Sequence, residues 1–173
     1  MTDARHQIEL DVGAALECAE SATWSTNELV ARTLPTAVSG KEAATTLHHA
    51  YSAQYHVARV FDWSKSLGHS QELAGSKTPQ STLGATLGDC LDWMRKARDH
   101  ADKLCRCFPT FEEVGGNLVP RIAEWAERWP QDYAEADHRA RISLEKIESA
   151  INTIERQQQI VGLLTPEVPK AQR

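Results

Sequence analysis

The chain has 173 residues, 41% hydrophobic and 25% charged, the balance of one ordinary soluble globular domain. That composition excludes wholesale disorder, a collagen-like repeat and a disulfide-dense scaffold. The formal net charge of -5, from 19 basic and 24 acidic residues, argues against a surface built throughout to attract phosphate or anionic lipid.

Helical periodicity dominates, and no alternating strand pattern stands out. Over residues 4–34, Ile8, Val12, Ala15, Ala19, Ala22 and Leu29 follow a three-four rhythm interrupted at Thr26. This predicts a first helix, ended by Pro35. Ser39-Gly-Lys-Glu42 is a capping box that opens a second helix, because the serine oxygen can accept from the amide three residues on while the glutamate reaches back. Its seam is expected through Leu47, Tyr51, Ala58 and Phe61, flanked by Ala50, Val57 and Val60, and its end near Gly68. Residues 68–81, rich in Gly and Ser with Pro79, read as a loop that is long for a bundle.

The third helix is the most regular. Leu83, Leu87, Cys90, Met94, Ala97, Ala101, Leu104 and Phe108 form an unbroken heptad seam, the pattern that packs knobs into holes. Gly84 and Gly88 weaken its start, and Pro109 stops it. Gly115-Gly116-Asn117 reads as a turn, and Pro120 suits the first turn of a short helix ending at Trp129-Pro130. A last helix over 131–164 carries a second heptad seam through Ala140, Leu144, Ile147, Ile151, Ile154, Gln158 and Val161, with Gln158 its one polar member. The fold expected is an all-α antiparallel bundle of four long helices plus one short helix, with coiled-coil-like seams. It forms a single domain over residues 1–164, and 165–173, with two prolines, is expected to be a disordered tail.

The N-terminus lacks a basic start followed by an apolar stretch, and no run approaches the roughly 18 apolar residues of a membrane span. A cytoplasmic location is therefore expected, with Cys18, Cys90, Cys105 and Cys107 reduced. Cys105-Arg-Cys107 lies five residues past His100. Two positions apart on a helix point roughly 200° from each other, so buried thiols are expected there rather than a closed zinc site. His48-His49 and His56 are a second candidate, since positions 49 and 56 are two turns apart on one face. Imidazoles lining a bundle could bind a metal in the manner of DinB-like or haemerythrin-like proteins, whose sites also draw ligands, typically carboxylates, from other helices.

Arg95-Lys-Ala-Arg-Asp-His100 has an R-x4-H spacing that resembles the catalytic motif of HEPN ribonucleases, which are also small helical bundles. The resemblance implies a composite site across a dimer, with Arg95 holding a phosphate and His100 helping to activate the ribose 2′-hydroxyl. Members of that family usually carry Asn, Asp or His after the arginine, where Lys96 stands here.

Charge is segregated along the chain. Residues 1–20 hold five acids against Arg5, and residues 112–137 hold seven acids against two arginines. Over residues 93–107, Arg95, Lys96, Arg98, Lys103 and Arg106 stand against only Asp99 and Asp102, and Arg95, Arg98 and Arg106 can share one stripe able to meet an acidic helix, a second copy or a nucleic-acid backbone. Trp125 and Trp129, one turn apart, are candidate interface anchors. These features predict a non-enzymatic assembly or adaptor subunit acting through helix faces, with a protein partner or a second copy, no cofactor and no membrane. One version is a subunit of a nucleoprotein complex, similar in size and helicity to the helical small subunits of CRISPR effectors, with the basic stripe on the backbone. The alternatives are an HEPN-like ribonuclease using Arg95 and His100, and a metal-binding bundle using His48, His49 and His56.

Overall fold

The computed structural model describes residues 4–32, 39–74, 87–108, 111–114, 117–120 and 128–164. In chain order these form α1 (Ala4–Arg32), α2 (Ser39–Ala74), α3 (Leu87–Cys107), β1 (Phe111–Val114), β2 (Asn117–Pro120) and α4 (Pro130–Leu164). α1 and α3 each pack against both α2 and α4, so the four helices close a ring in chain order. Neighbours run antiparallel. Gly13 lies against Phe61 while Asn27 donates to Tyr51 Oη, and Arg59 lies over Trp93 while His49 meets His100. On the other side, Asp11 accepts from Thr153 whereas Arg32 pairs with Asp132.

Where the structure describes them, the expected seams line the core, with Leu87 and Leu144 half-buried at its margin; Leu83 and the side chain of Val161 lie outside the described residues. On α3, Cys90, Met94, Ala97, Ala101, Leu104 and Phe108 are all buried; on α4, so are Ala140, Ile147, Ile151 and Ile154. One cluster joins Ile8 and Val12 to Val57, Val60, Trp63, Met94 and the α4 isoleucines. A second joins Leu29, Ala43, Ala50, Leu104, Phe108 and Ala136 toward the other end. Gln158 is exposed, and Ile154 is the last buried seam residue of α4 among the described residues.

Three expectations are corrected. The buried face of α2 is Ala43, Thr46, Ala50, Ala53, Val57, Val60 and Trp63, not a line through Tyr51, which is 47% exposed. Small residues carry its first half, from Ala43 to Ala53, where Ala22 and Thr23 of α1 pack closely against it, and Val57, Val60 and Trp63 carry the rest against Ile8 and Val12. The hydroxyl of Thr23 lies 2.8 Å from the Ala19 carbonyl and 3.2 Å from that of Ala50, so it satisfies itself inside this close crossing. α2 also continues past Gly68 to Ala74, since one glycine costs only about 1 kcal/mol and no proline follows until Pro79.

Finally, β1 and β2 form an antiparallel hairpin in which Phe111 pairs with Pro120 and Val114 with Asn117. Pro120 therefore closes a strand instead of opening a helix, a position that does not require its missing N–H. Four residues a side are too few to display alternation, and Gly115-Gly116 between them is itself a hairpin signal. The expected short helix falls mainly on residues 121–127, outside the described residues, as does the tail at 165–173. No described helix is long and apolar enough to cross a membrane.

Candidate metal centre

His48, His49 and His56 on α2 meet His100 on α3. The core beneath them at this level is built from Ala53, Ala97 and Ala101, whose small side chains let the two helices approach. The His100 ring lies 5.5 Å from that of His49, 5.7 Å from that of His48 and 5.9 Å from that of His56, centroid to centroid. One ligand atom from each of His48, His49 and His100 falls within 4.8 Å of the others. His49 Nδ1 and His100 Nδ1 are only 3.2 Å apart. Two nitrogens at that separation cannot both carry protons toward each other. Either one donates to the other, or both lone pairs face a shared ion; ligand nitrogens on one tetrahedral metal are separated by roughly 3.3 Å.

The electrostatics favour neutral imidazole. Burial lowers the pKa of His49 first, with His100, His48 and Lys103 adding to it. Burial likewise lowers His56, helped by His100, Lys96 and Arg59. For His100 burial again leads, His48 and Lys103 follow, and Asp99 opposes them. Neutral imidazole is the form that ligates. His56 stacks nearly parallel to His100, at 16°, and its Nδ1 is buried with no hydrogen-bond partner among the described residues. His48 is exposed and both His49 and His100 are half-buried, so the cluster opens to solvent.

The α2-only set His48, His49 and His56 thus becomes His48, His49 and His100, with His56 stacked beside it. A metal held there would draw its second-helix ligand from α3. Sequence spacing could not show this, though two stripes hinted at it: His49, His56 and Arg59 on α2, and Lys96, His100 and Lys103 on α3, each at helical intervals. The chain also contains a Glu-x-x-His of the di-iron bundle kind, Glu135 to His138 on α4. There Glu135 is paired with Arg139 and His138 is exposed, and neither joins the histidine group.

The basic stripe divides between two faces. Arg95 lies 3.7 Å from Asp92 and 3.4 Å from Glu155 of α4, so it points away from His100 and the two do not converge within one chain. Arg106 pairs with Asp102 at 3.1 Å and lines an α3–α4 cleft of about 370 Å³ with Cys105, Arg141 and Glu148. Arg98 is half-buried. Lys96 and Lys103 instead act on the histidines.

The C-x-C thiols also diverge. Cys105 faces that cleft, its pKa pushed up to about 11 chiefly by burial, while Cys107 donates to the Lys103 carbonyl at 3.2 Å. All four cysteines are free thiols. Trp129 is half-buried against the second core cluster, and Trp125 lies outside the described residues. No protein-family model, curated protein or solved structure shows significant similarity to this chain.

Proposed function

We propose that the protein binds a transition-metal ion between α2 and α3 through His48, His49 and His100, leaving a coordination position open. The observation that carries this reading is the convergence of three imidazole ligand atoms, from two helices, within 4.8 Å. Imidazole donors suit zinc, copper, nickel and iron, and three protein ligands with an open fourth position are the pattern of reactive rather than structural zinc sites. Equilibrium dialysis against Zn(II) or Co(II) is expected to give one ion per chain. His100→Ala should lower the affinity at least tenfold, because removing a ligand or its supporting partner costs on that scale, and the surface variant His138→Ala should leave it unchanged. Binding that persists in His100→Ala would overturn the proposal.

Association through a helix face stands as a second reading. The heptad seams that suggested it face the chain's own core, which leaves the segregated charge and the exposed Leu10, Trp24, Tyr51 and Tyr55 to support it. Sedimentation at rising protein concentration decides it. The ribonuclease reading asks Arg95 and His100 to act on one phosphate. With Arg95 turned to Glu155, that composite would require a second copy of the chain.

A further inference from the structure

We infer that the open position of this metal takes a phosphate-type oxyanion, held against Lys96 and Lys103, so that the α2–α3 groove is a site for inorganic phosphate or a phosphate monoester. The inference rests on the metal-site reading above and adds the class of ligand. Three neutral imidazoles leave the charge of a divalent ion uncompensated, since no carboxylate or thiolate joins them among the described residues. The groove walls add charge of the same sign. Lys96, His100 and Lys103 stand at i, i+4 and i+7 on α3, which places a lysine one turn to either side of the ligand histidine. Facing them on α2 are His49, His56 and Arg59, and Arg59 is held in the groove with its guanidinium 4.1 Å from the centre of the Trp93 ring.

Lys103 lies close enough to act on both His49 and His100, and Lys96 on His56; Asp99 is the one acid felt at His100. A metal held by neutral donors between two lysines is thus an anion site, and a doubly charged oxyanion balances it better than a monovalent one. Lysine meets phosphate as a point charge on a flexible stem, which suits two lysines reaching one ligand from opposite sides. His56 supplies a second, independent pointer. Its buried Nδ1 has no hydrogen-bond partner among the described residues and, in the tautomer that carries the proton there, is a further donor beside the His100 ring.

The test uses the Co(II)-loaded full chain, whose visible d–d bands report the cobalt coordination sphere. Inorganic phosphate is added with metal content measured after gel filtration, and acetate at equal ionic strength is the comparison. Phosphate is expected to shift the bands saturably with cobalt retained, while acetate acts only at much higher concentration. Lys96→Gln with Lys103→Gln should weaken the phosphate effect roughly tenfold or more and leave cobalt binding intact. A chain that does not take up cobalt sinks the metal-site reading and this inference with it. A cobalt site with normal affinity whose bands ignore phosphate, or respond equally with both lysines replaced, overturns the anion inference alone.

Discussion

Histidines crowded into one groove are held neutral mainly because burial penalises their charged form, and the lysines nearby add to that. The consequence for stability has a definite sign. His49, His56 and His100 have folded pKa values below 6.5, the value they regain when the chain unfolds. Below 6.5 the unfolded chain therefore binds more protons than the folded one, and acid favours unfolding. Above 6.5 this contribution is fully present; it fades as pH falls through 6.5 toward the folded values and then levels off. The groups facing these rings set the size of the effect: His48 and Arg59 from α2, and Lys96, Asp99 and Lys103 from α3. In metal-free protein the urea midpoint is expected to drop between pH 7 and pH 5.5, and His49→Gln with His100→Gln should flatten that slope. An equally steep fall in the double variant would place its origin elsewhere.

Helices α1 and α2 show what periodicity conveys and what it misses. The faces of α1, α3 and α4 were legible because their apolar residues are also their regularly spaced ones, from Ile8 to Leu29, Cys90 to Phe108 and Ala140 to Ile154. On α2 the large apolar residues mislead. Tyr51 and Tyr55 are exposed, and the first half of the core face is built from Ala43, Ala50, Ala53 and a self-satisfied Thr46, whose hydroxyl donates to the Glu42 carbonyl at 2.8 Å, before Val57, Val60 and Trp63 take over. Size was mistaken for burial, in a crossing where closeness requires small side chains. The histidine group was legible only in halves. His48, His49 and His56 stood out on α2 and His100 on α3, but no periodicity within one helix says which turn of another will face it. The tight crossing of α1 on α2 is itself testable. Ala50 is 1% exposed, and its carbonyl accepts from Thr23 across the crossing. Ala50→Leu should cost about 1–3 kcal/mol by overpacking, read as a lower urea midpoint with helix content retained. A variant as stable as the parent would mean that the crossing has room to spare.

At the scale of the whole molecule, the histidine group joins two helices through imidazoles that lie 51 residues apart in sequence, His49 and His100, and an ion bound there as proposed would clamp them together. The net charge of -5 conceals this, because it sums acidic segments with a cationic groove that only the packing of α2 on α3 assembles. In the unfolded chain His48 and His49 remain adjacent, but His100 is remote from both, so a bound ion favours the folded bundle. Ligand binding to the folded state alone stabilises it by about 2.7 kcal/mol when the free ion is at one hundred times its dissociation constant. For a chain of this length each kcal/mol moves the melting temperature by about 2–4 °C, so a rise of roughly 5–10 °C is expected with saturating Zn(II). The residual affinity of the His48-His49 pair in the unfolded chain would trim the rise toward the lower figure. His100→Ala should abolish it, because the α2 pair alone ties nothing to α3, while His138→Ala, at an exposed position of α4, should keep it whole. Equal rises in all three proteins would show that zinc stabilises the bundle from some other surface, and the α2–α3 clamp would be lost as an explanation.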